Sequence, residues 1–207
     1  MSDGPVIARK VTALITCRHQ DRDYLLIFRH PYAGIQIPAG TVEDGEDVST
    51  AARREAAEET GLSEFGAERF LGKREEVLPE GMALMAVTSP VYSRPDTSSF
   101  DWASIRNGIA VQVLRQQDGF TQVNYEEWDR WEDAQYISFC ITGWVLSSAL
   151  ATQRDRHFYH FAVQGDPSQT WHVATDNHRF QLFWAPLDDL PEINPHQSWW
   201  PQMLSSR

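Results

Sequence analysis

A chain of 207 residues that is 42% hydrophobic and 12% aromatic is long enough to bury a sizeable core, and its length fits one domain. Its formal charge of −11 argues against a nucleic-acid polymer as partner, which wants a basic stripe, but leaves small nucleotides open because a bound cation supplies local positive charge. Cys17 and Cys140 have neither zinc nor disulfide spacing, no run of about 18 apolar residues marks a membrane span, and MSDGPVIARKV lacks an apolar signal core, so a cytoplasmic protein without a membrane partner is expected.

In chain order, Lys10 to Cys17 and Tyr24 to Phe28 are apolar segments separated by the polar turn RHQDRD, and read as a hairpin. Ile35 to Ile37 is a short strand that Pro38-Ala39-Gly40 breaks into a loop rich in glycine and acids. A helix follows: Asp47 is a good N-cap, VSTAARREAAEET is built from strong helix formers, and Gly61 sits where a left-handed C-terminal cap belongs. Glu55, Glu58 and Glu59 then share one side of the helix, at the edge of a small apolar face of Val48, Ala51, Ala52 and Ala56. Three like charges so close repel one another, and a hard divalent cation turns that repulsion into coordination. The bland alternative is a solvated Glu/Arg helix with pairs such as Arg54 and Glu58.

The spacing from Gly40 to Leu62 decides between them. Gly40, Glu46, Arg54-Glu55, Glu58-Glu59 and Gly61-Leu62 fill every fixed position of the Nudix box, with Ala56 at the first aliphatic position. At background usage near 5–7% per residue type, a chance match is below about 10⁻⁶. The chain thus resembles the Nudix hydrolases. The resemblance implies an α/β fold, a Nudix-type α/β/α sandwich with a mixed β-sheet. It also implies cleavage of a diphosphate bond in a nucleoside diphosphate linked to another group, with Mg²⁺ or Mn²⁺ as cofactor and a small-molecule nucleotide as substrate. By resemblance, Glu55, Glu58 and Glu59 are metal ligands, the carbonyl of Ala39 joins them, and Glu58 or Glu59 helps activate water. Gly40 belongs to the substrate loop. Arg54 and Glu46 more plausibly pair to hold loop and helix in register than touch substrate. Arg29, at the mouth of the strand before the box, is a candidate for a substrate phosphate, with an ordinary surface arginine as the alternative. The Pro-Ala-Gly entry resembles the nucleotide-sugar and ADP-ribose branch, although Pro79 only loosely mimics that branch's downstream proline. A nucleoside triphosphate pyrophosphohydrolase and a non-catalytic nucleotide sensor are the alternatives; sensors can lose box glutamates, and none is missing here.

Beyond the box, Glu68 to Val77 and Met82 to Val87 read as strands, and Tyr92 to Arg106 as a loop. Gly108 to Gln117 and Phe120 to Glu127 alternate across Asp118-Gly119, a strong hairpin signal. Tyr136 to Leu146, His157 to Val163 and Arg179 to Ala185 are further strands, and His196 to Leu204 is expected to be a closing helix with Trp199, Trp200, Met203 and Leu204 on its apolar side. The surplus over a minimal Nudix domain, about 92–156, reads as an inserted β-hairpin region within a single domain, 1–207. It is expected to help recognise the group beyond the diphosphate, with a homodimer contact or plain cover for a sheet face as the alternative. Glu126 and Glu127, with Glu132 and Asp133, are the richest source of an additional acid or base; an acidic hairpin end in solvent is the alternative. Trp102, Trp128 and Trp131 are candidates for stacking on a base, with core packing as the alternative, while His157 and His160 read as structural or surface residues.

Overall fold

A computed structural model describes residues 6–128, 136–175 and 178–205. In order, the strands and helix are β1 (Ile7–His19), β2 (Arg22–His30), β3 (Gly34–Gln36), β4 (Ala39–Thr41), α1 (Val48–Thr60), β5 (Glu68–Val77), β6 (Met82–Met85), β7 (Ser89–Tyr92) and β8 (Asp101–Ile105). They continue with β9 (Ala110–Gln117), β10 (Phe120–Trp128), β11 (Ile137–Leu146), β12 (Leu150–Ala151), β13 (Gln153–Ala162), β14 (Thr170–Thr175) and β15 (His178–Pro186). This is a mixed α/β chain made mostly of strands. No helix among the described residues is long and apolar enough to cross a membrane.

The chain divides into two compact units. One comprises Val11–Val42, Glu46–Lys73 and His157–Arg207. Its strands belong to a sheet ordered β14-β15-β2-β1-β13-β5, with β3 beside β2 and β4 beside β1. Strand β2 is central, so its LLIF run is buried on both faces. Leu26 and Phe28 pack with Phe180, Leu182 and the alanines Ala51, Ala52 and Ala56 of α1. Leu25 and Ile27 pack on the opposite face with Phe158, Trp200 and Met203. The alanine stripe lets the helix backbone approach the sheet, and leaves the longer Glu side chains at the edge of the contact.

The layer opposite α1 differs from expectation. In place of an α-helix over His196–Leu204, the chain makes a 3₁₀ turn at Trp200–Ser205. The reason is local. Pro195 precedes the segment and Pro201 lies within it, where it lacks the N–H that an α-helix needs and disfavours helical geometry at Trp200 before it. Three-residue bonds, Trp200 N–H to the Gln197 carbonyl and Gln202 N–H to that of Trp199, replace the α pattern. Trp200 and Met203 still reach the core.

The other unit comprises Met1–Lys10, Glu43–Gly45 and Arg74–Arg156. Within it lies a seven-stranded sheet, β12-β6-β9-β10-β11-β7-β8, over a core of Met85, Ile105, Val111, Val123, Ile141 and Val145. The β9–β10 hairpin turns at Asp118 and Gly119, both at positive φ (49° and 79°), the backbone that an Asp-Gly turn favours. The expected hairpin is therefore part of a larger sheet that also takes in β6 and β7, the latter ending at Tyr92. Strand β8 lies in the stretch expected to be loop. Among the described residues it is an edge strand paired with β7, and Trp102 is exposed, so no alternating pattern marked it.

Candidate active site

The site is built at the junction of the β4 loop and α1. Asp47 caps the helix by accepting from Ser49 N–H (3.0 Å) and Thr50 N–H (3.2 Å), and Gly61 closes it at φ 72° with its N–H on the Ala57 carbonyl. Between these caps the helix register is fixed, and so is the side on which the glutamates emerge.

Arg54 is the centre of the polar network. Its Nε and Nη2 donate to the two carboxylate oxygens of Glu46, each at 2.9 Å. Nη2 also donates to the Thr41 carbonyl (2.9 Å), and Nη1 to Glu55 (3.0 Å) and Glu58 (3.1 Å). One guanidinium thus ties β4, the loop and α1 together. Its pKa is raised, first by the Glu46 hydrogen bonds, with Glu55 adding to them and burial opposing.

The three helix glutamates occupy different environments. The Glu55 side chain is only 14% exposed, and accepts from Thr41 N–H at 3.0 Å. Burial raises its pKa, with Arg54 and the Thr41 N–H pulling the other way. Glu58 is 52% exposed and reaches outward from Arg54. Glu59 accepts from Ala39 N–H at 2.7 Å. Gly40 makes this packing possible: a Cβ there would collide with the Glu55 carboxylate, so no other residue fits without moving it.

Among the described residues, no three His, Cys, Asp or Glu side chains converge as a ready ligand cluster. The box carboxylates instead engage Arg54 and the loop N–H groups. The donor set nevertheless fits a hard divalent cation. Glu55, Glu58, Glu59 and the Ala39 carbonyl are all oxygen donors, and Arg54 offers one positive charge to three carboxylates.

Other candidates lie elsewhere. Arg29 follows Leu25 and Ile27 along β2, so alternation puts it on the face turned away from α1. Glu126 and Glu127 are on β10, bonded to Asn124 Nδ2 (2.9 Å) and the Tyr125 hydroxyl (3.2 Å). Trp131, Glu132 and Asp133 lie outside the described residues. His160 Nε2 shares a 2.7 Å hydrogen bond with Thr16, and His157 sits beside Phe70. Trp171 donates to the Thr60 carbonyl (2.7 Å), anchoring the last turn of α1. Cys17 is buried and Cys140 exposed, and neither forms a disulfide. What sequence reasoning passed over is His30, which follows Leu26 and Phe28 on the α1 face of the sheet. The doubly buried run before it carries no alternation, so the phase that separates Arg29 from His30 is hidden.

This architecture agrees with the family comparison: residues 8–95 match the NUDIX domain family model. Two solved structures are similar over most of the chain. One is the NUDIX domain of Shewanella oneidensis NrtR complexed with ADP ribose, at 12% identity, TM-score 0.47, covering 96% of this chain and 86% of that one. The other is a C. elegans Ap4A hydrolase in a binary complex, at 13% identity, TM-score 0.43, covering 96% of each chain. No curated protein matches the sequence.

Proposed function

We propose that the protein is a metal-dependent pyrophosphohydrolase that cleaves the diphosphate bond of a nucleoside diphosphate linked to another group, with nucleotide sugars, ADP-ribose-like compounds and dinucleotides preferred. The observation that supports this most is the complete carboxylate set, with Glu55 drawn under Gly40 and Glu59 on the Ala39 N–H. Glu55, Glu58, Glu59 and the Ala39 carbonyl would hold Mg²⁺ or Mn²⁺. Bound there, the cation offsets phosphate charge and lowers the pKa of a coordinated water. The chain's own part is to orient and to move protons. Arg54 and Glu46 hold loop and helix at a fixed distance, so the diphosphate meets a preformed surface. Glu58, exposed where Glu55 and Glu59 are partly buried, is suited to take a proton from water and pass it to solvent. A substrate panel with Mg²⁺ and Mn²⁺, products resolved by chromatography, tests the reading. Cleavage within the diphosphate that stops on chelation is expected; cleavage that continues after exhaustive chelation, or none on any substrate, overturns it.

A further inference from the structure

We propose that the rings of His30, Tyr32 and His178 form a stacking shelf for the base of a nucleotide whose phosphates are held at the box; this rests on the hydrolase reading above. His30 is two residues beyond Phe28 on β2, and His178 two before Phe180 on β15, so both rings share the sheet face that carries α1. Phe28 and Phe180 stack at 4.5 Å, and His30 lies 5.2 Å from Phe180. Beyond this floor the rings meet edge to face: His30 and His178 at 4.8 Å and 64°, Tyr32 and His178 at 5.9 Å and 77°, His30 and Tyr32 at 6.1 Å and 64°. Edge contacts leave π-faces uncovered, and Tyr32 is 58% exposed.

The shelf is held in place. His30 Nδ1 accepts from the N–H groups of both Tyr32 and Ala33, each at 3.1 Å, which fixes the turn that carries Tyr32. Two donors on Nδ1 put the imidazole proton on Nε2, leaving a hydrogen-bond donor beside the rings.

Position and charge select the occupant. His30 pairs with Gly34 and Phe28 with Gln36, and Ala39, three residues past Gln36, donates to Glu59. The five steps from Gly34 to Ala39 span at most about 17 Å, a distance that a nucleoside diphosphate conjugate bridges. The arginines next to these rings in β2 and β15, Arg29 and Arg179, alternate to the opposite face. An aromatic surface from which both guanidinium groups are turned away suits a planar base better than a second phosphate.

Calorimetric titration of the full chain with AMP and with ribose 5-phosphate, both in excess Mg²⁺, tests this. Wild type should bind AMP at least about fivefold more tightly, the lower end of base stacking on an aromatic side chain. Tyr32→Ala and His178→Ala should bring AMP to the affinity of ribose 5-phosphate, while Tyr32→Phe keeps the preference. Tyr32→Leu, which retains bulk without a π-face, serves if an alanine variant melts early. Equal binding of the two ligands by wild type, no AMP binding, or undiminished AMP binding without the Tyr32 and His178 rings overturns the shelf. Diphosphate hydrolysis by wild type in that case leaves the functional reading standing; AMP preference without any hydrolysis does the reverse.

Discussion

Three glutamates one turn apart have become three different groups because each meets a different neighbour. Glu55 is sealed beneath the Gly40 backbone, Glu59 is tied to the Ala39 N–H, and Glu58 stands largely in water. Replacing Glu58 or Glu59 by Gln removes charge at nearly constant volume. Each change should lower kcat by at least about a hundredfold with the melting temperature little altered, because metal catalysis supplies several kcal/mol of transition-state stabilisation. Near-normal turnover in both variants at saturating Mg²⁺ would remove these residues from the proposed ligand set.

At the scale of elements, two termini control the site. Gly61 ends α1 in the left-handed region at φ 72°, and a Cβ there would sit 3.1 Å from Val173 Cγ2. Gly61→Ala should therefore cost about 1–2 kcal/mol, from backbone strain with crowding added, read as a lower urea midpoint with an unchanged slope. The turn after β2 is expected to respond to pH through His30, whose Nδ1 accepts from the Tyr32 and Ala33 N–H groups. Burial first, then the neighbouring His178, lowers the His30 pKa from its ordinary 6.5. The folded chain therefore resists a proton that the unfolded chain accepts. The stability contributed is present above the ordinary histidine range and is lost as pH falls through that range to the lowered value. Melting measured between pH 7.5 and 5.5 should fall more steeply for wild type than for His30→Gln. Identical slopes would show that His30 is not the titrating group.

For the whole molecule, a cation held by the folded site but not by the unfolded chain stabilises by mass action, about 2.7 kcal/mol at a hundred times Kd. Mg²⁺ should raise the melting temperature of wild type and do so much less for Glu59→Gln; an equal rise in both would place the ion elsewhere. The 92–156 region, within the unit that holds the seven-stranded sheet, remains our candidate for recognising the group beyond the diphosphate. Trp128, 45% exposed at the end of β10, is its testable residue. If the region recognises substrate, Trp128→Ala should change kcat/KM unequally across a panel of diphosphate substrates. A uniform small loss, or none, leaves it a structural role.

Local chemistry alone determined the caps of α1, the side on which its glutamates project and the turn at Asp118-Gly119, because each depends on residues within a few positions of one another. The Arg54–Glu46 pairing was also legible, since both flank one loop. What lay beyond the sequence depended on partners far along the chain. Strand β2 is buried on both sides, so only its packing against α1 on one face and Trp200 on the other shows where Arg29 and His30 point. Strand β8 exists because β7 supplies its hydrogen bonds, and the C-terminal segment becomes a 3₁₀ turn because Pro201 interrupts an otherwise helical apolar pattern. The aromatic shelf joins residues 30 and 178 through the pairing of β2 with β15, a contact that no local periodicity encodes.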